Sequence, residues 1–363
     1  MIPRMSRTSS IKQEKQRVAI GMSGGLDSSV VAALCVEQGY EVIGLTLHMF
    51  KEGSRCCSAD DIERSRHVCD HLGIRHYVVN VVEDFQKTII EPFIEGYARG
   101  ITPSPCVWCN QHIKFGALHK RAVHIGCSYI ATGHYVRVEK RNDGWHLYQA
   151  RDSLKDQSYF LHRLSQEQLS RSLFPLEAWT KKEVAQYAEE KALPVSTSSK
   201  AESQDLCFVP ETGHAPFIEQ ARPDLRKKGT IVDTSGKTLG THSGFHHFTI
   251  GQRKGLNVAT GSKMYVKRLE NENNRVIIGP RKEVMDRECK IENIHWIMGS
   301  PASTQFTCET RIRYRHGAAP CHVTVLDDES IRIAFDEPQF AITPGQAAVM
   351  YKDAEVLGGG WIV

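Results

Sequence analysis

Two kinds of apolar pattern alternate over the first two hundred residues. Short apolar runs at 17–20, 41–48, 76–82 and 129–131 predict strands, and apolar residues at helical spacing predict helices over 28–38, 60–71, 84–98, 110–124 and 181–191. Asp60 and Asp61 open the second helix, as suits a helix N-terminus. Such alternation predicts an α/β fold with a doubly wound parallel sheet and a ligand at the carboxyl ends of its strands. From about Pro210 the texture changes. Turn-separated short strands appear at 228–233 and 235–237, with Gly251-Gln252-Arg253 beyond them, and period-two alternation runs through 306–314, 322–326 and 331–335. These predict two small β domains, the last a β-barrel. The expected division is a disordered basic tail at 1–16, an α/β domain at 17–209, a central β domain at 210–285 and the barrel at 286–363.

Between the first strand and the first helix stands Gly21-Met22-Ser23-Gly24-Gly25-Leu26-Asp27-Ser28. Gly24 and Gly25 let backbone N–H groups close around an anion, while Ser23, Ser28 and Ser29 add hydroxyl donors. The helix that follows points its positive end into the same space. Asp27 repels a phosphate and makes sense there if it holds Mg²⁺. No Gly-Lys-Ser/Thr follows the glycines, which excludes a Walker A loop, and the spacing is not Gly-x-Gly-x-x-Gly. The loop reads as a nucleotide site. Thr132-Gly133-His134, after the strand at 129–131, reaches a second strand end of the same kind.

Composition narrows the setting. A length of 363 residues allows two or three domains with real cores, and the net charge of +4 gives no basic arm for nucleic acid. No apolar run reaches membrane-spanning length, and the polar N-terminal stretch lacks a signal-peptide core. Eleven cysteines without a secretion signal point to a reducing, cytoplasmic compartment.

Among those cysteines two positions stand out. Thr102-Pro103-Ser104-Pro105-Cys106-Val107-Trp108-Cys109 leads into a helix expected from about Asn110, so Cys109 would lie near its N-terminus, where the dipole favours thiolate. Cys207 falls at the junction between the α/β and β regions. A Cys-x-x-Cys alone is equally a metal half-site, a redox pair or a nucleophile. Cys35, Cys69 and Cys127 are expected in the core, Cys289, Cys308 and Cys321 as structural thiols of the β region, and Cys56-Cys57 has no assigned task.

The phosphate loop, the Pro-rich cysteine segment, Ala131–Tyr135, Lys155–Leu161, Cys207, His247–Leu256, Arg313–Arg315, Thr343–Ala347 and Leu357–Gly360 follow one another in order. Together they resemble the tRNA-specific 2-thiouridylases, a family of PP-loop ATP pyrophosphatases with an adenine nucleotide α-hydrolase-like fold, across nearly the whole chain. The resemblance implies adenylation of O2 of the wobble uridine and its replacement by sulfur. It implies ATP contacts at Gly21, Met22, Ser23, Gly24, Gly25, Leu26, Asp27, Ser28, Leu47 and Gly133, with Mg²⁺ held partly by Asp27. Cys109 matches the family nucleophile and Cys207 the persulfide carrier. Ser104, Pro105, Cys106, His134, Lys155, Asp156, Gln157, Arg313, Tyr314 and Gln346 match tRNA-contacting positions. Arg311, Arg313 and Arg315 are expected on one face of a strand. The implied partners are the tRNA anticodon stem-loop and a cysteine desulfurase or sulfur-relay protein.

One departure reopens the mechanism. Many family members carry aspartate where this chain has Cys106, so the acid/base role of that carboxylate is unfilled here. Cys106, Cys109 and Cys207 also resemble the three-cysteine set of cluster-dependent tRNA thiolases, which hold a [4Fe–4S] cluster. A PP-loop synthetase that adenylates a small metabolite is the alternative of a different class; it predicts no essential cysteine.

Overall fold

The computed structural model describes residues 15–50, 59–196, 206–301, 303–327 and 329–363. Most of the basic tail, Cys56-Cys57 and residues 203–205 lie outside the described residues.

Five parallel strands form the first sheet: β1 (Arg17–Met22), β2 (Glu41–His48), β3 (Arg75–Asn80), β4 (Tyr129–Ala131) and β7 (Ser172–Leu173). Their order is β3-β2-β1-β4-β7. The chain winds outward from β1 through β2 to β3, then returns to the other side of β1 as β4. The carboxyl ends of β1 and β4 therefore flank the point where winding reverses, the place where open α/β sheets bind ligands. Helices α1 (Leu26–Glu37) and α2 (Ala59–His71) follow β1 and β2. Val18, Ile20, Val30, Val31 and Val68 are among the residues that bury the seam on that face.

Two helices wind unevenly. One runs Val82–Phe85, then a π-helical Gln86–Ile90, then Glu91–Ala98; the other runs Pro105–Trp108, a π-helical Cys109–Ala117, then Leu118–His124. The second begins five residues before the expected start at Asn110. Proline fits the first helical position, where its missing N–H costs nothing, so Pro105 starts the helix instead of merely stiffening its approach.

β8 (Gly229–Asp233), β9 (Thr238–His242), β10 (Met264–Glu270) and β11 (Arg275–Pro280) make a four-stranded sheet around Ile231, Phe245, Val266 and Ile278. The last sheet joins β12 (Met285–Trp296), β13 (Gln305–Arg311), β14 (Ala319–Val325), β15 (Ser330–Phe340), β16 (Ala347–Lys352) and β17 (Glu355–Ile362), and pairing of β12 with β17 closes it into an antiparallel barrel. Cys289, Cys308 and Cys321 are buried in the barrel interior. A hairpin from the α/β segment, β5 (Val136–Lys140) with β6 (Trp145–Gln149), attaches to β17. Leu147, Tyr159, Val349 and Tyr351 consequently share one core with the cysteine helix. Among the described residues no helix is long and apolar enough to cross a membrane.

His162 sits in this joint. It is fully buried, its Nδ1 is 2.7 Å from the Tyr159 carbonyl oxygen, and a Cβ at Gly359 of β17 would stand 2.7 Å from its ring. Burial pushes its pKa from 6.5 down to about 3. The unfolded chain then takes up a proton that the folded chain refuses. This contribution to stability is complete above pH 6.5 and is lost as pH falls toward 3. Between pH 7 and pH 5 the loss amounts to about 2 kcal/mol. Urea denaturation of the wild type and H162Q checks it: the variant loses that share of the pH dependence, and an unchanged slope contradicts the assignment.

Candidate active site

The phosphate loop is built at the end of β1. Gly24 has φ +70°, and a Cβ there would lie 2.7 Å from the Asp61 carbonyl oxygen in the first turn of α2, so only glycine lets that helix brace the loop. Ser28 Oγ accepts from the Ser23 N–H at 3.2 Å and donates to the Gly25 carbonyl at 3.1 Å, which fixes the turn. Gly25 caps α1 without a side-chain acceptor. The first N–H groups of α1 are thus left to an anion. Met22 is buried behind the loop, and Leu47 is 7% exposed at the end of β2.

Asp27 does not face solvent alone. Lys181 Nζ donates to both of its carboxylate oxygens at 2.8 Å, and the Tyr135 hydroxyl donates to Oδ1 at 2.8 Å. Gly133 closes the site from β4: a Cβ there would stand 2.8 Å from Asp27 Cβ and 3.1 Å from the Ser28 nitrogen. The glycine cradle, serine hydroxyls and hard carboxylate oxygens fit a nucleotide triphosphate with Mg²⁺. Next to Gly133, His134 is buried with Nδ1 2.8 Å from Thr132 Oγ1, and its ring lies against Phe115 and Phe174. Burial, aided by Lys114, holds its pKa well below the usual 6.5, so the imidazole is neutral.

The cysteine helix connects to this loop. Leu118, in its last segment, has Cδ2 3.4 Å from where a Gly21 Cβ would be, and Phe115 meets His134 one turn earlier. At the other end Ser104 stands at the N-cap position without a side-chain bond, Cys106 lies half-buried in the first turn, and Cys109 is 8% exposed one turn further. The Cys109 N–H bonds back to the Cys106 and Pro105 carbonyls. Cys109 is therefore inside the helix and not near its N-terminus; the positive helix end lies at Pro105 and Cys106, and the dipole's effect fades beyond the first turn. Its segment is π-helical, an irregularity frequent at functional sites. Cys207 packs against the same core as Cys109, anchored by Phe208, whose ring lies edge-on to Phe93 at 5.0 Å and Phe85 at 5.9 Å. The fold thus brings Cys109 and Cys207 to one apolar cluster.

The expected RNA-contacting residues divide. Ser104 and Pro105 are buried, and Gln346 Nε2 donates to the Thr102 carbonyl at 2.9 Å, tying barrel to cysteine segment. Asp156 departs from direct RNA contact: it is 2% exposed, and its carboxylate accepts from the Ala150 and Ser158 N–H groups, the Ser158 hydroxyl and Arg311. Gln157 Oε1 accepts from the Tyr135 N–H at 3.0 Å, and Lys155 is half-buried beside it. The arginine stripe is also corrected. β13 stops at Arg311, which turns in to Asp156; Arg313 donates to the Phe340 carbonyl, and Arg315 alone is exposed. Tyr314 packs on Phe160 with the rings tilted by 38° and centroids 4.4 Å apart. Lys181 and the Tyr135 hydroxyl were not foreseen as site groups. In sequence, Thr180-Lys181-Lys182-Glu183 marks only a helix start; in the structure Thr180 and Glu183 form a reciprocal capping box there.

A phosphate loop at the switch point of a parallel sheet, followed by two β modules, defines a PP-loop ATP-utilising enzyme. Residues 16–211 match the tRNA methyl transferase HUP domain family, 216–280 the tRNA methyl transferase PRC-barrel domain and 286–362 the aminomethyltransferase beta-barrel domain. A tRNA-specific 2-thiouridylase MnmA of Geobacter metallireducens is 43% identical, covering 97% of this chain and 98% of its own length. Its counterpart in Trichormus variabilis is 45% identical, covering 96% and 98%. A solved U34-tRNA thiolase NcsA of Methanococcus maripaludis, with its [4Fe-4S] cluster, is 22% identical over 59% of this chain and 67% of its own, at a TM-score of 0.35. The chain belongs to the tRNA-specific 2-thiouridylase (MnmA) family.

Gly133 supplies a direct test of the nucleotide site. Gly133→Ala forces Asp27 and the start of α1 apart, an overpacking that costs about 1–3 kcal/mol. ATP binding measured by titration calorimetry weakens by roughly one to two orders of magnitude, whereas wild-type affinity places the nucleotide elsewhere.

Proposed function

We propose that this protein thiolates the wobble uridine of tRNA at C2, consuming ATP. The observation that carries the reading is the cysteine helix: its last segment abuts the phosphate loop at Gly21, and its first two turns hold Cys106 and Cys109. Leu118 lies nine positions beyond Cys109, a span of no more than about 13 Å at the α-helical rise of 1.5 Å per residue and shorter through the π-helical turns. A nucleotide whose phosphates occupy the loop and a base lying toward the cysteines bridge that span.

Uridine O2 forms a bond to the α-phosphorus of ATP and pyrophosphate departs, which turns a poor leaving group into a good one. The terminal sulfur of a Cys207 persulfide then bonds to C2, and the oxygen leaves with AMP. Cys109 thiolate attacks Cys207 Sγ, releasing 2-thiouridine and leaving a Cys109–Cys207 disulfide for an external thiol to reduce. The sulfane sulfur takes up two electrons and the two cysteines supply them. The neutral ring of His134 borders this path and adds no charge to it. The uridine leaves its stack to enter, which costs less in an anticodon loop than in a duplex. Lys155, Gln157, Arg313 and Tyr314 border the barrel side, where they serve tRNA. A cysteine desulfurase or sulfur-relay protein supplies the persulfide, and a reducing cytoplasm suits the cysteine-rich chain.

A [4Fe–4S] cluster on Cys106, Cys109 and Cys207 is the less favoured route, although three thiolates are the donors such a cluster takes. When bound, a cluster would hold hydrosulfide on an open iron. Incubation with ATP, a persulfide donor and unmodified tRNA, followed by nucleoside analysis, separates the routes. Cys109→Ser and Cys207→Ser each abolish 2-thiouridine, and Cys207→Ser still forms AMP on tRNA. Cys106→Ser retains activity, and anaerobically purified active protein contains no iron. Loss of activity in Cys106→Ser together with bound iron supports the cluster, and full activity in Cys207→Ser refutes both routes.

A further inference from the structure

The phosphate loop contains an acid and no base. No lysine or arginine lies between Gly21 and Ser29, yet a nucleotide triphosphate brings several negative charges to within reach of Asp27. Repulsion between charges at such distances is worth kcal/mol unless a cation offsets it. Asp27 finds its compensation in Lys181, which belongs to a different part of the chain. Its ammonium bonds both Asp27 oxygens at 2.8 Å. Both side chains are about one-quarter exposed, at 26% and 25%, so the pair is open to the loop and not sealed in the core.

The platform under Lys181 is stiff. It is the first residue of the helix Lys181–Glu190, whose Thr180 and Glu183 form a reciprocal capping box, and its own N–H donates to Asp152 Oδ2 at 3.0 Å. The side chain above that platform is a flexible four-carbon stem with three donors. Tyr135 donates a second bond to Asp27 from the β4 side. Asp27 therefore keeps a partner when Lys181 moves.

We infer that Lys181 is the phosphate-binding cation of this loop, exchanging Asp27 for the β- and γ-phosphoryl oxygens of ATP. This rests on the ATP-dependent reading above. In the arrangement seen, Lys181 neutralises Asp27 and keeps the loop from carrying a bare negative charge. With a triphosphate in the loop, the ammonium serves the phosphoryl oxygens. Asp27, still held by Tyr135, then has carboxylate oxygens to offer Mg²⁺. As the bond between uridine O2 and the α-phosphorus forms and the bridge to the β-phosphorus breaks, the electron pair of that bridge ends on pyrophosphate. Lys181 is placed to stabilise that charge. It does in space what the lysine of a Walker loop does in sequence.

The test uses the full-length protein, Lys181→Met and Lys181→Arg. Binding of ATP and of AMP is measured by calorimetry with Mg²⁺, and pyrophosphate release with unmodified tRNA. Lys181→Met weakens ATP binding by about 10- to 100-fold and pyrophosphate release by about 100-fold or more, the scale seen when one charge-stabilising donor is removed. AMP binding changes less than about threefold, because AMP lacks the β- and γ-phosphates. Lys181→Arg recovers part of both losses, and melting temperature reports folding separately. If Lys181→Met misfolds, partial recovery in a folded Lys181→Arg with the ATP-to-AMP contrast decides the matter. Equal weakening of ATP and AMP in a folded variant overturns the inference, as does wild-type ATP binding. Wild-type protein that binds ATP but releases no pyrophosphate with tRNA refutes the thiolation reading, and the binding contrast still judges Lys181.

Discussion

The buried carboxylate of Asp156 is the joint on which the assembly of this molecule depends. Its side chain is 1% exposed, and Arg311 of the barrel reaches it at 3.0 Å. Backbone N–H groups of Ala150 and Ser158 and the Ser158 hydroxyl complete its shell. A buried charge without such partners is strongly destabilising, so the end of β6, the turn at 155–157, the helix Ser158–Leu161 and β13 are obliged to meet. Other contacts follow from that meeting. The Tyr159 hydroxyl bonds the Ala347 carbonyl at 2.9 Å, Gln346 holds Thr102, and Trp108 packs edge-on to Trp361 at 5.3 Å. The barrel therefore supports the cysteine helix from its N-terminal end. A residue expected to touch RNA instead fixes the barrel to the α/β segment.

Charge elsewhere in the site is treated in the opposite way. The groups that face the ligand are neutral donors or compensated ions: backbone N–H groups and serines in the loop, a neutral His134, and Asp27 paired with Lys181. A site of this kind sets ATP affinity by exchange of partners, because Asp27 and Lys181 have to trade one bond for another. Burying the pair fully would make that trade expensive. At about one-quarter exposure it is affordable in free-energy terms, which fits a loop that binds and releases nucleotide in each turnover.

Sequence reasoning reached the parallel sheet, its switch point and the phosphate loop because these are local. An apolar run, two glycines and a periodic helix announce themselves within a dozen residues. It located β2, β4 and the helix at 60–71 to within a residue or two. It failed where a partner decides the outcome. Lys181 is 154 positions from Asp27, and nothing around it says phosphate. The hairpin 136–149 looks like part of the α/β segment until β17 accepts it as an edge strand. The alternation through 306–314 overshoots the strand by three residues, since it continues past Arg311 while the pairing with β16 stops there. Proline misled at Pro105, where rigidity and helix initiation share one residue type.

The position of the sulfur chemistry follows from what an activated uridine has to avoid. An adenylated carbonyl hydrolyses if water reaches C2 before sulfur does, so the nucleophile belongs in a dry place and the phosphates in a wet one. The cysteine helix separates the two. Its last segment abuts Gly21 of the phosphate loop, whereas Cys109 toward its other end is 8% exposed in the core that holds Val107, Ile113 and Phe115. Cys207 is half-buried against the same cluster, held by Phe208 yet placed next to the segment that links the α/β and β regions. That intermediate exposure suits the role proposed for Cys207, which asks for a thiol reachable from outside yet close to the core. The two cysteines reach this cluster from separate segments, Cys109 from within a helix and Cys207 from the stretch anchored by Phe208.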